Sequence, residues 1–135
     1  MRQISFFVEG VPVTKGSKTM IRTKDGKYRM VEAGNLKKRN RLKEWMKKVQ
    51  WQASITIDEP FCGPVALEAT FFLEKGKTVK RDLPHVKPDL DKLMRAIGDA
   101  MQSIAYKDDS CLTDLTLRKR YAGELGAGCF ITIRE

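Results

Sequence analysis

Histidine is nearly missing from this 135-residue chain, with His85 the sole example. Cysteine is scarce too: Cys62, Cys111 and Cys129 are scattered, show no CxxC spacing, and are odd in number. Those counts exclude a disulfide framework and argue against a zinc site, and they fit a reducing, cytoplasmic setting. No stretch approaches the ~18 apolar residues of a membrane span. The opening MRQISFFVEG alternates like a strand and lacks the apolar core of a signal peptide. Repeats, low-complexity tracts and linkers are absent as well, so residues 1–135 read as one domain, long enough to bury a core.

What the chain has in excess is positive charge, a net +9. It is unevenly placed: residues 1–50 hold 14 Lys/Arg against 4 Asp/Glu, while the other 85 hold 12 against 13. The first third therefore reads as an electrostatic arm, and the remainder as scaffold plus an acidic site. A basic face by itself is common on soluble proteins, so charge alone leaves nucleic-acid binding at roughly even odds.

Hydrophobic spacing outlines the elements. Ile4, Phe6 and Val8 alternate with polar neighbours as a strand over 3–9. Gly10, Pro12 and Gly16 interrupt it in a loop that carries Lys15 and Lys18. Asp25-Gly26 marks a short hairpin over 20–31. From Leu36 to about Ile55, Leu42, Trp45, Met46, Val49 and Ala53 recur at helical spacing; Lys37, Lys38, Arg39, Arg41, Lys43, Lys47 and Lys48 cover the other side. Trp51 lies off that stripe, where a dimer contact is one use for it. Val65, Leu67, Ala69, Phe71 and Leu73 alternate as the clearest strand. A second helix is expected from about Leu90 to Met101, then strands around 115–121 and 129–133. The pattern predicts an α+β domain: a single mixed, mostly antiparallel sheet covered by two main helices.

Against this basic background four carboxylates crowd one stretch, HVKPDLDKLMRAIGDAMQSIAYKDDS. Singly, each has an ordinary reading: Asp89 or Asp91 caps a helix, Asp108 opens a turn. Together they fit a divalent cation, because crowded carboxylates repel and hard oxygen donors suit Mg²⁺, or Mn²⁺ in its place. Pro88 favours an extended approach, in which Asp89 and Asp91 point the same way. Asp91, Arg95 and Asp99 then form an i, i+4, i+8 ladder beside the apolar stripe. Tyr106 is expected to pack beneath the Asp108-Asp109 turn. A shared metal site requires the strand after Asp109 to return to the Asp89/Asp91 end. The reading that follows is a metal-dependent phosphodiesterase acting on nucleic acid.

KPDLDKLMRAIGDAMQSIAYKDDS, the following LTDLTLRKRYA and the opening GVPVTKGSK closely resemble the RusA-type Holliday junction resolvases, over most of the chain. The resemblance implies a homodimeric, Mg²⁺-dependent endodeoxyribonuclease, often prophage-encoded, that nicks four-way DNA junctions symmetrically in recombination and repair. It implies metal-binding carboxylates at Asp89, Asp91 and Asp109, with Asp108 the neighbouring acid, and Arg95 as the catalytic cation. Lys15, Lys18, Lys37, Lys38, Arg39, Arg41, Lys87 and Lys107 are the expected DNA contacts. Arg95 stands where the family usually has Lys; Arg does not deprotonate, so its expected role is phosphate contact rather than base. Lys92 replaces a usual Asn, and Gly16-Ser17-Lys18 an Arg-Pro-Arg run. These departures motivate an alternative: a non-catalytic junction-binding accessory protein, or a nuclease preferring other branched DNA.

Overall fold

Period-two burial and period-3.6 burial separate the strands from the helices along the chain. The computed structural model describes every residue except Met1, Ser17 and Ala33, and at Lys18, Thr19 and Glu32 the backbone only. The order is β1 (Gln3–Glu9), β2 (Lys18–Arg22), β3 (Tyr28–Glu32), α1 (Leu36–Thr56), β4 (Val65–Leu73), α2 (Leu90–Ala100), a 3-10 turn (Asp109–Cys111), β5 (Leu112–Tyr121) and β6 (Gly128–Arg134). The expected α+β class is what the chain adopts. A four-stranded mixed sheet of order β1-β6-β4-β5 is accompanied by a separate β2–β3 ribbon. No helix among the described residues is long and apolar enough to cross a membrane.

β4 is the spine of the sheet. Val65, Leu67, Ala69, Phe71 and Leu73 are buried on one face, with half-buried residues between them. Its partner β6 runs antiparallel and pairs in turn with β1, also antiparallel. β5 runs parallel to β4, with Leu67 opposite Leu115 and Phe71 opposite Lys119. A parallel pair needs a crossover rather than a tight turn, and α2 supplies it.

Both helices lie on the face that β4 buries. α1 begins at Asn35, whose side-chain oxygen accepts the Lys38 backbone N–H at 2.9 Å and so satisfies one of the helix's orphan donors. Leu42, Trp45, Val49 and Ala53 form its buried stripe, and its charged residues stay outside. α2 buries Leu93, Met94, Ala96, Ile97, Gly98 and Ala100. The small residues in that set let the helix sit close against its neighbours. The opposite sheet face has no covering layer among the described residues. There Phe7 and Phe72 meet at 6.3 Å between ring centres, and Phe130 is 44% exposed. Gly128 belongs to this arrangement, because a Cβ at that position would collide with the Phe7 ring and the Val8 carbonyl.

The register carries a stability prediction. Phe71 is fully buried while Phe130, one strand away, faces outward. Phe71→Ala is expected to cost about 3–5 kcal/mol in urea unfolding, and Phe130→Ala less than about 1 kcal/mol. Equal costs would contradict the pairing.

Candidate active site

The acidic motif lies at the start of α2, where a change of backbone conformation separates its two aspartates. Asp89 is the extended N-cap residue (φ −75°, ψ 136°) and makes no side-chain capping bond, so its carboxylate is not spent on the helix. Asp91 already belongs to the first helical turn. The expected same-side alternation therefore stops at Asp89, and from Leu90 onward the ~100° helical step decides direction. Asp89 has a close basic neighbour one turn along: Lys92 Nζ stands 3.5 Å from its Oδ2.

Around Asp89 the chain builds a cleft of about 560 Å³. Lys38 comes from α1, Lys87 from the approach to α2, and Lys92 from its first turn, while Thr14 and Gly16 come from the loop after β1. Two sets of hydrogen bonds hold these walls. The Lys15 backbone N–H donates to the Lys92 carbonyl at 3.1 Å, strapping the loop to the helix. From β5, the Lys119 ammonium donates to the carbonyls of Val86 at 2.8 Å and Pro88 at 2.9 Å. Lys119 was not singled out from the sequence. It faces the helices by strand parity, and only the parallel register shows which loop it reaches.

A second acidic group forms at the far end of α2. Asp109 is pushed above the usual carboxylate range, first by the hydrogen bond it shares with Asp108, then by partial burial and the charges of Asp108 and Asp99. Asp108 is held below that range, chiefly by the same bond. One proton between two carboxyls accounts for both directions. Beneath them Tyr106 is buried as expected, and its hydroxyl donates to the Gly98 carbonyl at 2.7 Å. Burial, then the charges of Asp109 and Asp99, push that phenol upward. Lys15, expected at phosphate, has its ammonium 2.8 Å from Asp99 Oδ2.

The structure thus joins some of the expected residues and separates others. Lys38 and Lys87 share the cleft with Asp89; Asp108 and Asp109 lie beside one another near Asp99. Asp91, exposed Arg95 and Asp99 run between the two groups as the helical ladder, whose ends are about 12 Å apart along the axis. Lys37, Arg41 and Lys107 are exposed, and Arg39 lies on the side of α1 facing the β2–β3 ribbon. The Lys18 side chain is outside the described residues. Among the described residues no group of three or more His, Cys, Asp or Glu side chains is arranged to hold a metal ion. The reason is topological. β5 begins at the end of the sheet where α2 finishes, so the strand end that returns to Asp89 carries Lys119 rather than Asp109.

The raised Asp109 carboxyl sets a sign. A carboxyl whose folded pKa is raised stabilises the fold below its unfolded pKa, and that contribution is lost as pH rises through the folded value. Asp109 is then a source of repulsion at neutral pH. In metal-free buffer Asp109→Asn is expected to melt no lower than the parent at pH 7, with any gain shrinking by pH 4. Thermal unfolding at both pH values checks this, and a clear loss of Tm at pH 7 would contradict it.

A chain of Bacillus subtilis (strain 168), "Uncharacterized protein YqaN", is 30% identical over 74 residues, covering 46% of this chain and 52% of that one. This chain therefore spans about half the length of that curated relative. The family described as "Endodeoxyribonuclease RusA" matches residues 9–134, from the last residue of β1 to the last of β6. The acidic helix, the basic loop and strands β2 to β6 fall inside that match, and the chain belongs to the RusA endodeoxyribonuclease family.

Proposed function

We propose that this protein is a Mg²⁺-dependent, structure-selective endodeoxyribonuclease that resolves four-way DNA junctions by paired nicks, working as a homodimer. The observation that carries the reading is the cleft: the Asp89 carboxylate, which makes no capping bond, stands in a wall whose other charged residues are Lys38, Lys87 and Lys92. Basic walls suit a phosphate backbone, and a carboxylate among them is unfavourable for DNA unless a cation intervenes.

The donor set fits a hard divalent ion in kind, since it is all carboxylate. Mg²⁺ is commonly held by one or two carboxylates, with water and substrate phosphate filling its other positions. Asp89 at the cleft, with Asp91 from the first helical turn, would hold it, and Mn²⁺ would serve in its place; Asp109 with Asp108 is the further oxygen-donor pair. When bound, the ion supplies an activated water and neutralises charge on the leaving oxygen. The protein's own residues position the substrate. Lys38 and Lys87 take the backbone as it enters, while Lys37, Arg41 and Lys107 extend the basic track. Arg95, one turn beyond Asp91, would contact the scissile phosphate with its fixed charge. Junctions are recognised chiefly through backbone geometry, so dense cationic surface with few base readers is appropriate. A two-fold dimer matches the two-fold symmetry of the junction and places two sites for paired cuts.

One observation favours a second reading. Lys92, at the position where the family resemblance implies an Asn, already pairs with Asp89. A chain whose ammonium neutralises its own metal ligand fits a junction-binding accessory protein that does not turn over.

Cleavage of synthetic four-way junctions with and without Mg²⁺ separates the two. On the nuclease reading, Asp89→Asn and Asp91→Asn keep junction affinity and lose cutting by at least about 100-fold, the scale of losing a transition-state stabiliser. Lys92→Asn should cut at least as fast as the parent. Full cutting by both aspartate variants would end the mechanism; salt-sensitive binding without products at any metal concentration would establish the accessory reading.

A further inference from the structure

The β2–β3 ribbon rises from the wall of the cleft. Gly16 lines the cleft and β2 starts at Lys18. The first turns of α1 connect the same two places, with Lys38 on the cleft and Arg39 on the groove beneath the ribbon. The antiparallel register sets Met20 opposite Met30, Ile21 opposite Arg29, and Arg22 opposite Tyr28. Strand alternation then sorts the ribbon into two faces. Ile21, Arg29, Met30 and Val31 line the groove against Leu42 and Met46 of α1. Met20, Arg22 and Tyr28 share the face turned away from it, and Met30, opposite Met20, stands at the groove's edge with half of its surface exposed.

That outer face is unusual for a small basic protein. Met20 is 62% exposed, Tyr28 67% and Met30 54%. Directly opposed pairs on one face lie within side-chain contact, so these three make one apolar patch rather than scattered single residues. Cations surround it: Arg22 lies within the patch, and Lys24 and Lys27 sit at the exposed tip. The single acid at the tip, Asp25, is occupied locally, accepting from the Thr23 hydroxyl and from the Lys27 backbone N–H.

Charge selects the partner. A patch meant for another protein gains nothing from a ring of cations unless that partner is acidic, whereas a nucleic acid satisfies both features at once. Its phosphates pair with the Arg and Lys, and its base faces take the methionines and the tyrosine ring. A linear duplex hides base faces inside the stack, but a branch point uncovers them. Two-stranded ribbons fit DNA grooves, and methionine is one of the wedges that proteins insert between base steps.

We propose that the β2–β3 ribbon is a branch-point probe: Met20, Tyr28 and Met30 pack against bases at the crossover of branched DNA, while Arg22, Lys24 and Lys27 hold the flanking phosphates. This rests on the branched-DNA reading above and adds the element that tells a branch from a duplex. The ribbon holds none of the carboxylates assigned to cutting, so selection and hydrolysis are separable.

The test uses the full chain and a four-way junction with 2-aminopurine beside the crossover, in Ca²⁺ or EDTA so that nothing is cut. The parent protein is expected to raise the fluorescence by unstacking the probe base. Met20→Ser/Tyr28→Ser/Met30→Ser should abolish the rise and lower the junction-over-duplex preference by about tenfold or more, leaving duplex affinity and its salt dependence unchanged. Arg22→Ala/Lys24→Ala/Lys27→Ala should instead weaken both substrates and flatten the salt dependence. Tyr28→Ala alone, which leaves the Met20–Met30 pair in place, should give a partial loss and serves if the triple variant fails to fold. Unchanged fluorescence and preference in the serine and Tyr28→Ala variants would overturn the proposal. So would a parent dimer that becomes monomeric in the serine variant by light scattering, because the face would then meet a second copy. Metal-dependent cutting by the parent is scored separately. Cutting without a fluorescence rise sinks the probe alone, and a rise without cutting sinks the nuclease reading alone.

Discussion

Two strands that run parallel within one sheet cannot be joined by a tight turn, and that constraint shapes the functional half of this protein. β4 and β5 are such a pair, with α2 as the crossover between them. The helix must start beyond the end of β4 and finish near the start of β5. Its N-terminal acids are thereby fixed at one end of the sheet, and the Asp108-Asp109 turn at the other. Lys119, near the end of β5, then comes back to the carbonyls of Val86 and Pro88 and holds the segment that presents Asp89.

Packing explains why the acids remain available. The buried side of α2 is continuous and partly made of small residues, so the helix is held by its apolar contacts and does not depend on its ladder of charges. Asp89 makes no capping bond, and the charge of Asp109 is opposed by its neighbours. Groups kept in locally unfavourable states while the core supplies the stability are what a site for a cation and a polyanion requires. The loop after β1 adds the basic side of the cleft. It is strapped to α2 through Lys15, whose backbone reaches Lys92 and whose ammonium reaches Asp99. That one residue, expected at phosphate, also fastens the loop to the helix.

Much of the architecture was legible before any coordinates. The alternation Val65, Leu67, Ala69, Phe71, Leu73 could only be a half-covered strand, and the Leu42, Trp45, Val49, Ala53 spacing only a helix face. Asp25-Gly26 marked the ribbon turn because a left-handed residue is needed there, and Gly26 has φ +83°. The family was legible too, since the acidic stretch is contiguous in sequence. Less accessible were the roles of Lys92, Asp99 and Lys119. Each is an ordinary charged residue on a regular element; Asp99 and Lys119 find partners in another segment, while Lys92 meets the loop through its backbone carbonyl and Asp89 through its ammonium.

Sequence alone determined which residues are apolar at which period, where the charges lie, and hence the class of fold and the family; these are local properties of a linear pattern. Tertiary structure decided which charges meet. Side chains separated along the chain acquire partners only through strand order and direction. Here the parallel register sends Lys119 to the Asp89 segment and leaves Asp109 beside Asp99. That arrangement turns an expected cage of carboxylates into two acidic groups spanned by one helix.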